Sequence, residues 1–194
     1  MSFLDILFPR DCPFCENRLK SDVCPCEGAL PYSDDAYAPL YYVGAAAEAI
    51  RRYKFDGKFS YAKTFARLMC EGLFEKDFDF VIAVPSYKNR TEHAALLGAA
   101  VAKELGLALK AGVLVKVKRT KKQHDLNAKE RETNLKSAFR VKSSSAVVGK
   151  RILLVDDITT TGATFAECKK VLLEAGASKI RFLTIATTEN PCDN

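Results

Sequence analysis

The sequence predicts an α/β fold built on a doubly wound, mainly parallel sheet, with a small cysteine-rich module in front of it. Three observations carry this expectation. Residues 80–84 (FVIAV) and 151–155 (RILLV) are apolar runs of strand length, the pattern of strands buried on both faces. Helical stretches alternate with such runs along the chain, as helices covering a parallel sheet must. Four of the seven cysteines, Cys12, Cys15, Cys24 and Cys26, fall within the first 26 residues.

Residues 1–35 are rich in Cys, Pro, Asp and Ser, hold no lasting hydrophobic periodicity and cannot form a core unaided. They read as a metal-binding module, and residues 36–194 as the α/β domain. Cys12 and Cys15 form a C-x2-C knuckle, and Cys24 and Cys26 a C-x-C pair. Four thiolates suit a tetrahedral, structural Zn²⁺. Without a secretory signal, clustered thiols point to metal rather than to disulfides. Cys70 and Cys168 stand singly in apolar surroundings and read as small buried hydrophobes.

Within the domain, residues 40–43 read as a strand and 45–55 as a helix. Residues 61–74 read as a second helix, with Phe65, Leu68, Met69 and Leu73 spaced for one face. Pro85 ends the 80–84 strand. An apolar helix over 94–105 stops at Gly106, and 113–117 is the next strand. Residues 118–129 are basic and unpatterned, hence a loop. A short helix is expected over 130–137, an extended segment over 138–141 and a turn at the serines 143–145. After the 151–155 strand come a helix from about 163 to 175, ended by Gly176, and a last strand over 180–187.

Composition narrows the function. An apolar fraction of 48% supports a buried core and excludes a disordered chain. The opening MSFLDILFPR has neither the basic flank nor the apolar length of a signal peptide or membrane span, so a cytoplasmic protein without membrane insertion is expected. The net charge of +6 is concentrated, since residues 110–142 carry 11 Lys or Arg against three Asp or Glu. Such a cluster attracts phosphate, on a small substrate or along a nucleic-acid backbone, and the residues do not separate the two.

Chemistry gathers in residues 151–165, RILLVDDITTTGATF. A buried strand runs into adjacent carboxylates, Asp156 and Asp157, and a hydroxyl- and glycine-containing turn opens a helix. Ligands of open α/β sheets bind beyond the carboxyl ends of strands. Thr160, Thr161, Gly162, Ala163 and Thr164 would offer backbone N–H groups and hydroxyls at a helix N-terminus, which suits a phosphate dianion. The carboxylates would be repelled by that phosphate but can accept hydrogen bonds from vicinal hydroxyls. A phosphate at one end and a diol at the other describe a ribose 5-phosphate. His93 on the apolar helix and His124 in the basic loop read as ordinary structural and loop histidines.

The segment resembles the phosphoribosyl pyrophosphate (PRPP) signature of type I phosphoribosyltransferases. Nearly the whole chain resembles the ComF family of competence-associated, double-zinc-ribbon, phosphoribosyltransferase-like proteins. Further family marks are Tyr53-Lys54-Phe55-x-Gly57, the strand ending in Val84-Pro85, and the series Arg119, Gln123, Leu126, Arg131, Asn134 and Phe139. The resemblance implies a type I phosphoribosyltransferase fold. It also implies that Asp156 and Asp157 hold the ribose hydroxyls, that Thr159 to Thr164 cradle the 5-phosphate, and that Lys54 contributes to the site. Arg119, Gln123 and Arg131 would lie in a basic loop over the pyrophosphate, with Arg119 aiding its departure and Mg²⁺ accompanying it. Where the family carries an Arg-Gly-Phe-Asn-Gln-like motif, this chain has Lys88-Asn89-Arg90-Thr91-Glu92-His93, which opens the way to a changed acceptor or reduced catalysis. Thr160 stands where purine-using relatives of the fold hold a carboxylate base, so no general base is evident. Two roles follow: a PRPP-dependent transferase, or an accessory of DNA uptake in which single-stranded DNA and a DNA-translocating ATPase are partners and PRPP is a ligand or regulator.

Overall fold

The structure, a computed structural model, describes residues 36–73, 75–87, 92–119 and 135–188. Cys12, Cys15, Cys24, Cys26, Gln123, His124 and Arg131 lie outside the described residues, as does most of the expected 130–137 helix.

In chain order the elements are β1 (Ala36–Tyr37), β2 (Leu40–Tyr41), α1 (Gly44–Phe55), α2 (Tyr61–Glu71), β3 (Phe80–Ala83), α3 (Glu92–Leu105) and β4 (Ala108–Leu109). They continue with β5 (Leu114–Lys116), β6 (Phe139–Val141), a 3-10 turn (Ser144–Ala146), β7 (Arg151–Thr159), α4 (Ala163–Glu174) and β8 (Lys179–Thr187). The main sheet is parallel, in the order β1-β8-β7-β3-β4, with β2 also beside β8. The apolar run 152–155 of β7 lies at the centre of this sheet and is covered on both faces, as its composition demands.

Side-chain alternation divides the core into two layers. On one face Leu153, Val155, Leu183 and Ile185 pack against Ile50, Tyr53, Phe65, Met69 and Leu97 of α1, α2 and α3. On the other, Ile152, Leu154, Ile180 and Phe182 meet Cys168 and Leu172 of α4 and Leu114 and Phe139 of the β5–β6 pair. Phe165 stacks on Phe182 at 4.7 Å between ring centroids. Gly98 brings α3 close to β3, because a Cβ there would lie 2.8 Å from the Ala83 Cβ.

Two expectations need correction. Residues 114–116 are a strand, but one that pairs antiparallel with β6 in a separate two-stranded sheet. The main-sheet strand after α3 is the two-residue β4, which has no signature in the sequence because so short an edge strand leaves no apolar run. The strand read as 151–155 runs on to Thr159 through both carboxylates, since the nine-residue β8 gives it a partner as far as Thr187.

The amino ends of β7 and β8 are fastened electrostatically. Glu75 accepts from Lys179 Nζ at 2.6 Å and Arg181 Nε at 3.1 Å and also pairs with Arg151, while Asp79 takes Lys150 Nζ and the Arg151 amide, each at 2.8 Å. These bonds hold Glu75, led by the one from Lys179, down to about 2.

Candidate functional site

The two neighbours β3 and β7 send their chains in opposite directions. β3 connects through α3 on one face to β4, and β7 through α4 on the other face to β8. A crevice opens at such a reversal, outside the carboxyl ends of the strands. β3 stops at Ala83, paired with Val155, and the last bond between them runs from Val84 N–H to Val155 O at 2.8 Å. Asp156 and Asp157 are therefore the first β7 residues to emerge into the crevice.

A strand turns successive side chains to opposite faces, so the two carboxylates meet different surroundings. Asp157 follows Leu153 and Val155 toward α1 and α3 and is 7% exposed. Its Oδ2 accepts from Lys54 Nζ at 2.9 Å and His93 Nε2 at 3.1 Å, and its Oδ1 from the Ile158 amide at 2.7 Å. Burial pushes this carboxyl up, but the His93 hydrogen bond and the Lys54 charge outweigh it and hold the group below its ordinary value. Asp156 follows Ile152 and Leu154 to the face of α4 and the β5–β6 pair, and its Oδ1 accepts the Asp157 amide at 2.9 Å. Burial, then the neighbouring Asp157 charge, raises Asp156 to about 7, against the weaker pull of Lys54 and Lys116. Lys116 lies over the Phe139 ring at 5.4 Å, with its own pKa lowered by burial.

Past Thr159 the chain turns at Gly162, whose φ of +68° is the left-handed conformation that suits glycine. A Cβ at Gly162 would have nothing within 4 Å, so the turn faces open space. No side chain caps α4, whose first turn also lacks an acid, and the Ala163 amide stands ahead of the first backbone bond, Ala166 N–H to Gly162 O at 2.8 Å. Such a terminus is open to an anion. At the carboxyl end of β3, beside the crevice, a cavity of about 310 Å³ is lined by Val84, Pro85 and Ser86 and by the cations Lys110 and Lys142.

The structure thus brings Lys54, Asp156, Asp157 and the Thr159–Thr164 turn to one crevice. Arg119 is exposed, three residues beyond β5, and joins none of these contacts. Two residues escaped the sequence reading. His93, which the sequence presents as an ordinary histidine on an apolar helix, bonds Asp157, and Lys116, one of the 11 cations of residues 110–142, faces the Asp156 side. The signal for His93 was its place in the first turn of the helix after β3, where α3 overlooks the carboxyl end of the sheet. Cys70 and Cys168 are buried as expected, and burial pushes Cys70 up to about 12. Among the described residues no His, Cys, Asp and Glu side chains cluster as a metal site, and no helix is long and apolar enough to cross a membrane.

Residues 75–193 match the phosphoribosyl transferase domain family. The chain is 29% identical to competence protein F of Haemophilus influenzae over 90% of its own length and 83% of that protein's. It is 32% identical to competence protein ComFC of Streptococcus pneumoniae, over 91% of this chain and 80% of that one. It is 27% identical to DNA utilization protein YhgH of Escherichia coli K12, over 91% and 84%. Among solved structures, glutamine PRPP amidotransferase from B. subtilis superposes with a TM-score of 0.50 and 23% identity, over 73% of this chain and 31% of that one, a likeness of fold.

Proposed function

We propose, because the chain belongs to the ComF family and carries its phosphoribosyl transferase domain on a type I phosphoribosyltransferase fold, that the β7–α4 junction binds the 5-phosphoribosyl group of PRPP. One observation supports this most: an uncapped helix terminus behind Gly162, open to an anion, directly follows a half-buried carboxylate, Asp156, and a buried one, Asp157, at the reversal point of the sheet. The 5-phosphate would take the amides and hydroxyls of Thr159 to Thr164. The ribose hydroxyls would donate to Asp156 and Asp157. The pyrophosphate would lie toward the carboxyl end of β3, where Lys110 and Lys142 supply positive charge, with Arg119 and Arg131 of the basic segment available to it. Mg²⁺ would enter with the ligand's own phosphates. A structural Zn²⁺ on Cys12, Cys15, Cys24 and Cys26 is proposed from their spacing.

Transfer would displace pyrophosphate at the anomeric carbon, and Thr160 in place of a carboxylate suits either an acceptor that needs no proton removed or a site that binds PRPP without turning it over. Calorimetric titration of the zinc-loaded protein with PRPP and Mg²⁺, beside an Asp156→Ala/Asp157→Ala double variant, tests the site. Binding by the wild type alone is expected. A folded wild type that ignores millimolar PRPP would sink the reading. Pyrophosphate release then decides whether bound PRPP is turned over.

A role in DNA uptake is the biological setting we propose, on the names of the relatives and on the charge of residues 110–142. Single-stranded DNA and a DNA-translocating ATPase are the partners this reading names, within a cytoplasmic location. DNA affinity that falls steeply with salt, and is lost when the cations of residues 118–131 are neutralised, is the expected result.

A further inference from the structure

The two adjacent carboxylates have unequal capacity left for a ligand. A carboxylate offers about four lone-pair places. Asp157 has three filled, by Lys54 Nζ and His93 Nε2 on Oδ2 and by the Ile158 amide on Oδ1. Asp156 has one filled among the described residues, by the Asp157 amide.

His93 is itself held in place. Tyr53 is fully buried, donates its hydroxyl to the His93 carbonyl at 2.5 Å, and sets its ring against the imidazole in an edge contact at 6.1 Å. The next residue in the chain is Lys54, the other group on Oδ2. Consecutive residues of α1 thus set both side-chain partners of Asp157 Oδ2, Lys54 being one of them and Tyr53 holding the other at the start of α3. With the carboxylate 7% exposed, both bonds lie where water competes poorly.

We infer that His93 is a positioning residue of the phosphoribosyl site: with Lys54 it fills Oδ2 of Asp157, leaving that carboxylate one place for a ribose hydroxyl and giving Asp156 the larger share of the diol. The inference rests on the PRPP reading above and assigns within it a role to a residue outside the signature. The bond requires a proton on Nε2, which both the neutral Nε2–H tautomer and the imidazolium supply. A ring without that proton would leave Asp157 free to rotate toward Lys54 and lose its aim at the crevice.

The experiment is calorimetric titration of the full zinc-loaded chain with PRPP and Mg²⁺, using wild type, His93→Gln, His93→Phe, Asp157→Asn and the His93→Phe/Asp157→Asn double variant. Gln keeps an N–H donor at similar reach, while Phe keeps a ring for Tyr53 and removes the donor. His93→Phe is expected to weaken PRPP by about tenfold or more, since it removes a hydrogen bond to a buried charge. His93→Gln should stay within about threefold of wild type, and His93→Phe should add nothing when combined with Asp157→Asn, the non-additivity of two residues acting through one bond. His93→Met, flexible and donor-free, repeats the comparison if the Phe ring does not fit. Wild-type affinity in the donor-free variants, an equal loss in His93→Gln, or an undiminished loss in the Asp157→Asn background would each overturn the assignment. Failure of the wild type to bind PRPP would overturn the site reading itself, and this is seen before any variant is compared.

Discussion

Replacing Asp156 by Asn should stabilise the folded protein above neutral pH while removing its affinity for PRPP. Burial and the Asp157 charge raise Asp156 to about 7, from an ordinary 3.8. A carboxyl raised on folding binds its proton more tightly in the folded state, so stability falls as pH climbs from 3.8 to about 7 and is level beyond. At 1.36 kcal/mol per pH unit, the charged form costs the fold at most about 4 kcal/mol at pH 8. Asn keeps an oxygen for the Asp157 amide but accepts more weakly, returning about 1–2 kcal/mol, so a net gain of about 2 kcal/mol is expected at pH 8. For a chain of this length that is about 4–8 °C in the unfolding midpoint. At pH 5 the same comparison should shrink below about 1 kcal/mol, because the wild-type carboxyl is then protonated in the folded state. Thermal or urea unfolding of both proteins at the two pH values, followed by circular dichroism, measures the difference; the titrating groups outside the coupled Asp156–Asp157 pair cancel between them. A variant less stable than wild type at pH 8, or a gap that does not narrow at pH 5, would refute the picture of a charge that its partners only partly compensate.

Glu75 works in the opposite sense. Its folded pKa lies near 2, against an ordinary 4.5, so its contribution is present above pH 4.5 and lost as pH falls toward 2. Glu75→Gln should destabilise by about 1–2 kcal/mol at pH 7, after discounting for its part-exposed setting, and should flatten the acid limb of the unfolding profile. Gly162→Val should cost about 1–2 kcal/mol for a β-branched residue at positive φ and should abolish binding of ribose 5-phosphate as well as PRPP, both read by calorimetry. Reversing Lys110 and Lys142 to Glu should weaken PRPP by about tenfold while leaving ribose 5-phosphate within about twofold, which places the cavity at the pyrophosphate end. Purified protein should carry one zinc per chain by elemental analysis, and Cys12→Ser/Cys15→Ser should lose it.

The sheet was legible where burial on both faces forces an unbroken apolar run. Phe80–Ala83 and the first half of β7 announce themselves for that reason. β4 did not, because a two-residue edge strand is made by backbone bonds to β3 and needs no pattern of its own. β5 was visible as a strand but not as a member of another sheet, since pairing direction depends on β6, more than 20 residues away. In the site, the acid pair and the threonine-glycine turn were legible because the chemistry is local in sequence. His93 was not, because its partner lies 64 residues further on and only the packing of α3 beside β7 joins them.

The same alternation that makes a strand legible also explains why two identical neighbouring side chains differ. Asp156 and Asp157 are one residue apart, so β7 turns them into different layers of the core. Asp157 meets Lys54 and His93 and stays charged, and that charge, added to burial, is part of what raises Asp156. A ligand diol that donates to Asp156 would supply the hydrogen bonds the empty site lacks and favour its ionised form. Such a site binds a donor of hydroxyls by relieving a charge that the fold has already paid to bury, so affinity and stability at Asp156 are opposed by construction.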